Sequence, residues 1–160
     1  SKVLAPGLRL GYVIAPRALY PKLLQAKQAA DLHTPGFNQR VVHEVIKDGF
    51  LREHVPTIRA RYKAQRDAMQ AALQRHMPPG CQWQQPVGGM FFWVELPPML
   101  DATALLPRAV DAGMAYVPGA PFYSRAPKAN TLRLSFVTVS PELIDRGIAA
   151  LAGVLKGALE

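Results

Sequence analysis

Lys2 stands seven positions before Arg9, across the break Pro6-Gly7, and Arg9 sits at the start of the run LRLGYVIA over residues 8–15. A lysine amine can condense with an aldehyde. An arginine fork can hold a phosphate through two parallel hydrogen bonds. The two together describe a place for an aldehyde that carries a phosphate. Each residue also has a plainer reading, Lys2 as a solvated lysine and Arg9 as an exposed strand end. Gly7 and Gly11 fit close backbone approach, and equally a simple turn.

A second arginine stands far along the chain in Thr131-Leu132-Arg133-Leu134-Ser135-Phe136. The run alternates, so Leu132, Leu134 and Phe136 share one face while Thr131, Arg133 and Ser135 share the other. With helices over the apolar face, Arg133 projects from the opposite one, where its planar guanidinium can grip a carboxylate. A surface arginine on a half-exposed sheet is the alternative.

The elements that must position these residues follow from periodicity and breakers. Residues 8–15 read as a strand between Pro6-Gly7 and Pro16. Helical spacing then runs from Pro16-Arg17 to about Ala30, from 37 to 48 with a stop at Gly49, and from about Leu51 to Met77. Pro56 either starts the regular part of this last helix or kinks its first turn. After Pro78-Pro79-Gly80, residues 82–84 and 90–96 read as strands, the second apolar on both faces and so expected inside a sheet. Asp101 or Thr103 can cap a helix to about Ala112. Residues 115–117 and 131–136 are further strands, and Ser140-Pro141-Glu142 opens a final helix with a cap, a first-turn proline and a first-turn acid. The composition is α/β at the start and α+β in the second half, with a domain seam placed by topology around residues 52–62.

With 49% hydrophobic and 19% charged residues the chain can fill an ordinary core, which excludes a disordered or fibrous class. No apolar stretch is long enough to cross a bilayer, and the start shows no signal-peptide pattern. Cys81 is the one cysteine, so no internal disulfide can form, which points to a reducing compartment and a cytoplasmic protein. The net charge of +8 is spread along helices without a dense basic block, which favours a solvated face and a bias towards anionic substrates over nucleic acid. The histidines at 33, 43, 54 and 76 are scattered without metal-ligand spacing, so no metal is expected and each reads as a surface or capping residue. Cys81 has no evident base beside it. Nucleophile-elbow, Walker and dinucleotide-binding patterns are absent from the sequence.

The opening run Ser1-Lys2-Val3-Leu4-Ala5-Pro6-Gly7-Leu8-Arg9-Leu10-Gly11 resembles the segment around the Schiff-base lysine of fold-type-I, class I/II aminotransferases that use pyridoxal 5'-phosphate (PLP). The run NTLRLSF at 130–136 is similar to that family's strand bearing the carboxylate-binding arginine. Pro86–Val94 resembles its P-x-G-G-M-F-x-W-V run, and Val117–Phe122 its V-x-P-G-x-x-F loop. The likeness is strongest to the 2-aminoadipate and kynurenine aminotransferase branch, together with the aminotransferase-like domains of MocR-type regulators.

The resemblance implies an α+β (α/β) fold. Residues 1–52 would be the tail of a large PLP-binding domain, a leftover strand with helices. Residues 53–160 would be the C-terminal small domain, a mixed or antiparallel sheet covered by helices. It also implies roles: Lys2 binds PLP and moves the proton, Arg9 and Ser1 hold the cofactor phosphate, and Arg133 holds the substrate carboxylate. The implied reaction passes an amino group from an L-amino acid to a 2-oxo acid such as 2-oxoglutarate, in a homodimer with no membrane partner. An effector-sensing domain of a transcription regulator, fused to an upstream DNA-binding domain, is the alternative. The chain reads as the C-terminal part of a longer enzyme starting at the lysine, so by itself it is expected to bind PLP weakly and not to transaminate.

Overall fold

The computed structural model describes residues 2–160, so the phosphate-ligand expectation for Ser1 lies outside the described residues. The chain divides into two compact units, one reaching to Ile58 and one starting at Arg59.

The first unit contains a 3-10 turn at Pro6–Leu8, helices α1 (Tyr20–Asp31) and α2 (Gly36–Ile46), and the first residues of α3 (Phe50–His76). Gly49, at φ 85°, takes the left-handed conformation between α2 and α3 that a residue with a β-carbon adopts at a cost. No described residue of this unit is fully buried, and Tyr12, Val13, Ile14 and Phe37 are each more than three-quarters exposed.

The strand expected over 8–15 is not formed. Leu8 closes the 3-10 turn, Arg9 follows at φ 50°, and no described residue of this unit enters a ladder. A strand is a property of pairing, and an apolar, β-branched run without a neighbouring strand has no ladder to join. The left-handed Arg9 also breaks the extended path where it was expected to begin. The helix expected from Pro16-Arg17 starts only at Tyr20, after a turn in which the Leu19 N–H donates to the Pro16 carbonyl at 2.9 Å.

The second unit is a helix-covered antiparallel sheet. Its strands are β1 (Gln82–Trp83), β2 (Phe91–Glu95), β3 (Val117–Pro118) and β4 (Thr131–Ser135), in the order β1-β2-β4-β3 with every pair antiparallel. Helices α4 (Ala102–Asp111) and α5 (Pro141–Lys156) complete it, with the later part of α3. Alternation decides which face is covered. Phe92, Val94, Leu132, Leu134 and Phe136 point into the core against Leu73 of α3, Leu105 of α4 and Ile148 and Leu151 of α5. Phe92 meets Phe136 edge-on with centroids 5.9 Å apart. Each such side chain contributes about 1.5–3 kcal/mol on leaving water. Thr131 departs from the expected alternation. It is fully buried, and its hydroxyl is satisfied by donating to the Lys128 carbonyl at 2.9 Å.

The caps are the ones the residue types suggest. Asp101 Oδ1 accepts from the Thr103 and Ala104 amides at 2.7 and 3.1 Å, and Ser140 Oγ from Leu143 at 3.4 Å. Strand β2 is interior to the sheet, paired on both sides, yet Phe91 and Trp93 remain 37% exposed on the face away from the helices. That open aromatic face positions the second arginine. Among the described residues, no helix is long and apolar enough to cross a membrane.

Candidate active site

Lys2 and Arg9 line one hollow of about 810 Å³ in the first unit, with Tyr12 on the same stretch and Gln39, Val42 and His43 from α2. Among the described residues no carboxylate lines it. A lysine and an arginine are therefore gathered without an internal counter-ion, an arrangement that favours an anionic guest. Among the described residues the Lys2 ammonium has no hydrogen-bond or ion-pair partner, so it is available for chemistry.

The backbone around these cations is tied down locally. The Arg9 amide and Arg9 Nη1 both donate to the Pro6 carbonyl at 3.2 Å, curling the residue back on the Pro-Gly turn. Asn38 Nδ2, on α2, donates to the Leu8 carbonyl at 3.2 Å. His54 Nε2, on α3, lies 2.9 Å from the Val3 carbonyl, and its ring stacks on Phe50 at 4.8 Å between centroids. The sequence carried no signal for either tie. The partners are 51 and 30 residues apart, and neither residue type is unusual on a helix.

Arg133 lies in the second unit, on β4, opposite Trp93 of β2 and Val117 of β3. Its guanidinium carbon sits 4.1 Å from the centre of the Phe91 ring and 4.9 Å from that of Phe122. Trp93 meets Phe122 edge-on at 5.6 Å and completes the aromatic surround. Glu95, on the same strand as Phe91, is engaged by Lys128 at 2.9 Å. Among the described residues no carboxylate pairs with Arg133. Ring faces hold a guanidinium by its plane, and that leaves its N–H edge free for a bidentate acceptor. Phe91 could have been read from the sequence, because it shares the parity of Trp93 and opposes the buried Phe92. Phe122, in a loop, could not.

Cys81, half-buried beside β1, has its thiol pushed up to about 11 by burial, which makes it a poor nucleophile.

The family model described as aminotransferase class I and II matches residues 2–151. Among curated proteins, the chain is 46% identical over 159 residues to the 2-aminoadipate transaminase of Thermus thermophilus, covering 99% of this chain and 40% of that protein. It is 31% identical over 156 residues to the HTH-type transcriptional regulator YdfD of Bacillus subtilis, covering 98% of this chain and 32% of the regulator. Among solved structures it superposes with a TM-score of 0.88, at 46% identity, on LysN, the α-aminoadipate aminotransferase of Thermus thermophilus, in complex with N-(5'-phosphopyridoxyl)-L-leucine. That match covers 99% of this chain and 41% of LysN, so the chain spans about two fifths of the length of the aminotransferases it matches.

Proposed function

Because the chain belongs to the class I and II aminotransferase family, we propose that the whole protein is a PLP-dependent aminotransferase moving an amino group from an L-amino acid to a 2-oxo acid such as 2-oxoglutarate. The observation that carries this reading is the convergence of Lys2 and Arg9 on one hollow without a carboxylate. The donor set fits the cofactor: an amine for its aldehyde and a guanidinium for its phosphate. When bound, PLP supplies an electron sink for the charge left on the substrate α-carbon.

The roles of the chain's own residues follow from their chemistry. Lys2 Nζ would hold the cofactor through its aldehyde, and its amine would serve as the group that moves the proton at the substrate α-carbon. Arg9 would offset the phosphate charge, and the Ser1 hydroxyl would add a donor to the same group. Arg133 presents its N–H edge to the substrate α-carboxylate while Phe91 and Phe122 fix the plane of the fork. We read residues 1–52 as the tail of the cofactor-binding domain and 53–160 as the small domain. A homodimer acting in the cytoplasm goes with this reading.

The test uses a protein of the relatives' length that contains this chain. After incubation with PLP and borohydride reduction, mass mapping is expected to place one label on Lys2, and Lys2→Ala to abolish both label and transamination with 2-oxoglutarate. A label elsewhere, or undiminished turnover in Lys2→Ala, overturns the reading. A regulator's effector-sensing domain is the second reading, favoured by the YdfD match. The higher identity to the transaminase, 46% against 31%, supports the enzyme. Sequence-specific DNA binding without turnover would reverse that preference.

A further inference from the structure

The segment from Lys2 to Arg9 has little of its own to hold it. Its internal backbone bonds are those of one 3-10 turn, Leu8 N–H to the Ala5 carbonyl at 3.3 Å and Arg9 N–H to the Pro6 carbonyl at 3.2 Å. The described residues add two ties from outside, each to the carbonyl of the residue next to one of the two cations. His54 meets the Val3 carbonyl, one residue after Lys2, and Asn38 meets the Leu8 carbonyl, one residue before Arg9.

We propose that His54 and Asn38 are positioning residues: through these two carbonyls they fix the backbone from which Lys2 and Arg9 reach into the hollow. The proposal rests on the roles assigned above to Lys2 and Arg9.

The geometry at Arg9 shows how the tie works. The peptide unit between Leu8 and Arg9 is gripped at both ends, its carbonyl accepting from Asn38 Nδ2 and its N–H donating to Pro6. A planar peptide held at both ends cannot rotate. Arg9 then stays at φ 50°, a conformation that a non-glycine residue keeps only where its surroundings impose it. At the other end, the Val3 carbonyl is an acceptor only, so His54 must present Nε2 with its proton on. The stacked Phe50, one helical turn earlier on α3, sets the plane of that ring. Both donors stand on helices, whose backbones are more rigid anchors than a loop. A shift of about 1 Å in a reacting group is enough to cost two orders of magnitude in rate.

The experiment uses the protein of the relatives' length and has two arms. In the cofactor-free protein, amide hydrogen exchange is followed for the peptide covering residues 2–9, with α1 as internal reference. His54→Phe keeps a ring for Phe50 but loses the donor, Asn38→Leu loses the other donor, and His54→Gln keeps an N–H at similar reach. Exchange at Leu8 and Arg9 is expected to quicken at least threefold in Asn38→Leu. His54→Phe frees the Val3 end of the segment and so the Ala5 carbonyl to which the Leu8 amide donates, and exchange at Leu8 is expected to do the same there. In both variants α1 stays unchanged, and His54→Gln stays within twofold of the parent. Unchanged exchange in 2–9, equal acceleration in α1, or failure of His54→Gln to restore protection overturns the proposal.

In the second arm, the PLP concentration giving half-maximal borohydride labelling of Lys2 is expected to rise about tenfold in His54→Phe and to return with His54→Gln. An unchanged half-maximal concentration also overturns it. If the parent protein takes no label at Lys2, it is the functional reading that fails, and the exchange arm still decides whether the two ties hold the segment.

Discussion

Arg133 and Phe91 form a cation–ring pair across neighbouring strands, with the guanidinium carbon 4.1 Å from the ring centre. Such a contact is worth about 0.5–1 kcal/mol at a half-open site, less than the 1.5–3 kcal/mol of a hydrogen bond to a charged group. The ring therefore steadies the fork without competing with a carboxylate. Arg133→Lys keeps the charge but loses the bidentate edge. In a protein of the relatives' length, kcat/KM for the amino-acid substrate is expected to fall roughly 10- to 150-fold by this difference, carried mainly by KM. Phe91→Leu is expected to cost about fivefold or less. Steady-state kinetics at varied amino acid check both, and an Arg133→Lys enzyme with parental KM would remove the residue from the substrate site.

Gly119 and Thr131 are packed too closely for a β-carbon. The Gly119 amide donates to the Thr131 carbonyl at 2.7 Å, and a methyl at Gly119 would lie 2.9 Å from the Thr131 backbone carbon as well as against its hydroxyl. Gly119→Ala is expected to lower stability by about 1–3 kcal/mol in urea unfolding. Thr131→Ala in the same chain is expected not to restore it, because the backbone contact remains. Full restoration would show that only the side chain was in the way.

Much of the second unit was legible because its signals are local. Ser140-Pro141-Glu142 and Asp101 marked helix starts through hydrogen bonds made within three residues, and the alternation at 131–136 marked a covered and an open face. Thr131 broke that alternation for a reason no pattern carries, a carbonyl three residues back that absorbs its hydroxyl. Residues 8–15 misled because they have strand composition, whereas a strand needs a neighbour. The ties from His54 and Asn38 join positions far apart in sequence, so composition and spacing gave no hint of them. Of Lys2, Arg9, His54 and Asn38, only the first two were therefore legible as site residues.

Asp67 accepts from Lys63 at 2.7 Å and from Arg66 at 2.6 Å, and these bonds hold its carboxyl below the ordinary value of 3.8. A carboxyl lowered on folding stabilises the fold at pH above its unfolded value, and that contribution is lost as pH falls through the folded one. Urea midpoints of the parent and Asp67→Asn are expected to differ at pH 6 and to converge as pH falls below 3.8. Parallel curves over that range would mean the carboxylate adds nothing to folding.

Burial raises the Cys81 thiol from 9.0 to about 11, leaving about a hundredfold less thiolate at neutral pH. Alkylation by iodoacetamide at pH 7.5 is expected to be slower by a factor of that order in the folded protein than after unfolding. Equal rates would place the thiol in solvent.

Arg9 sits at φ 50° and ψ 38°. A side chain with a β-carbon spends roughly 1–2 kcal/mol there relative to its right-handed form, whereas glycine does not. Glycine at this position would relax the backbone and delete the guanidinium in one step. Under the phosphate-binding role proposed for Arg9, the loop would set folding stability and anion affinity against each other at a single codon. Selection for a hardier protein and selection for a tighter phosphate grip would pull this residue in opposite directions.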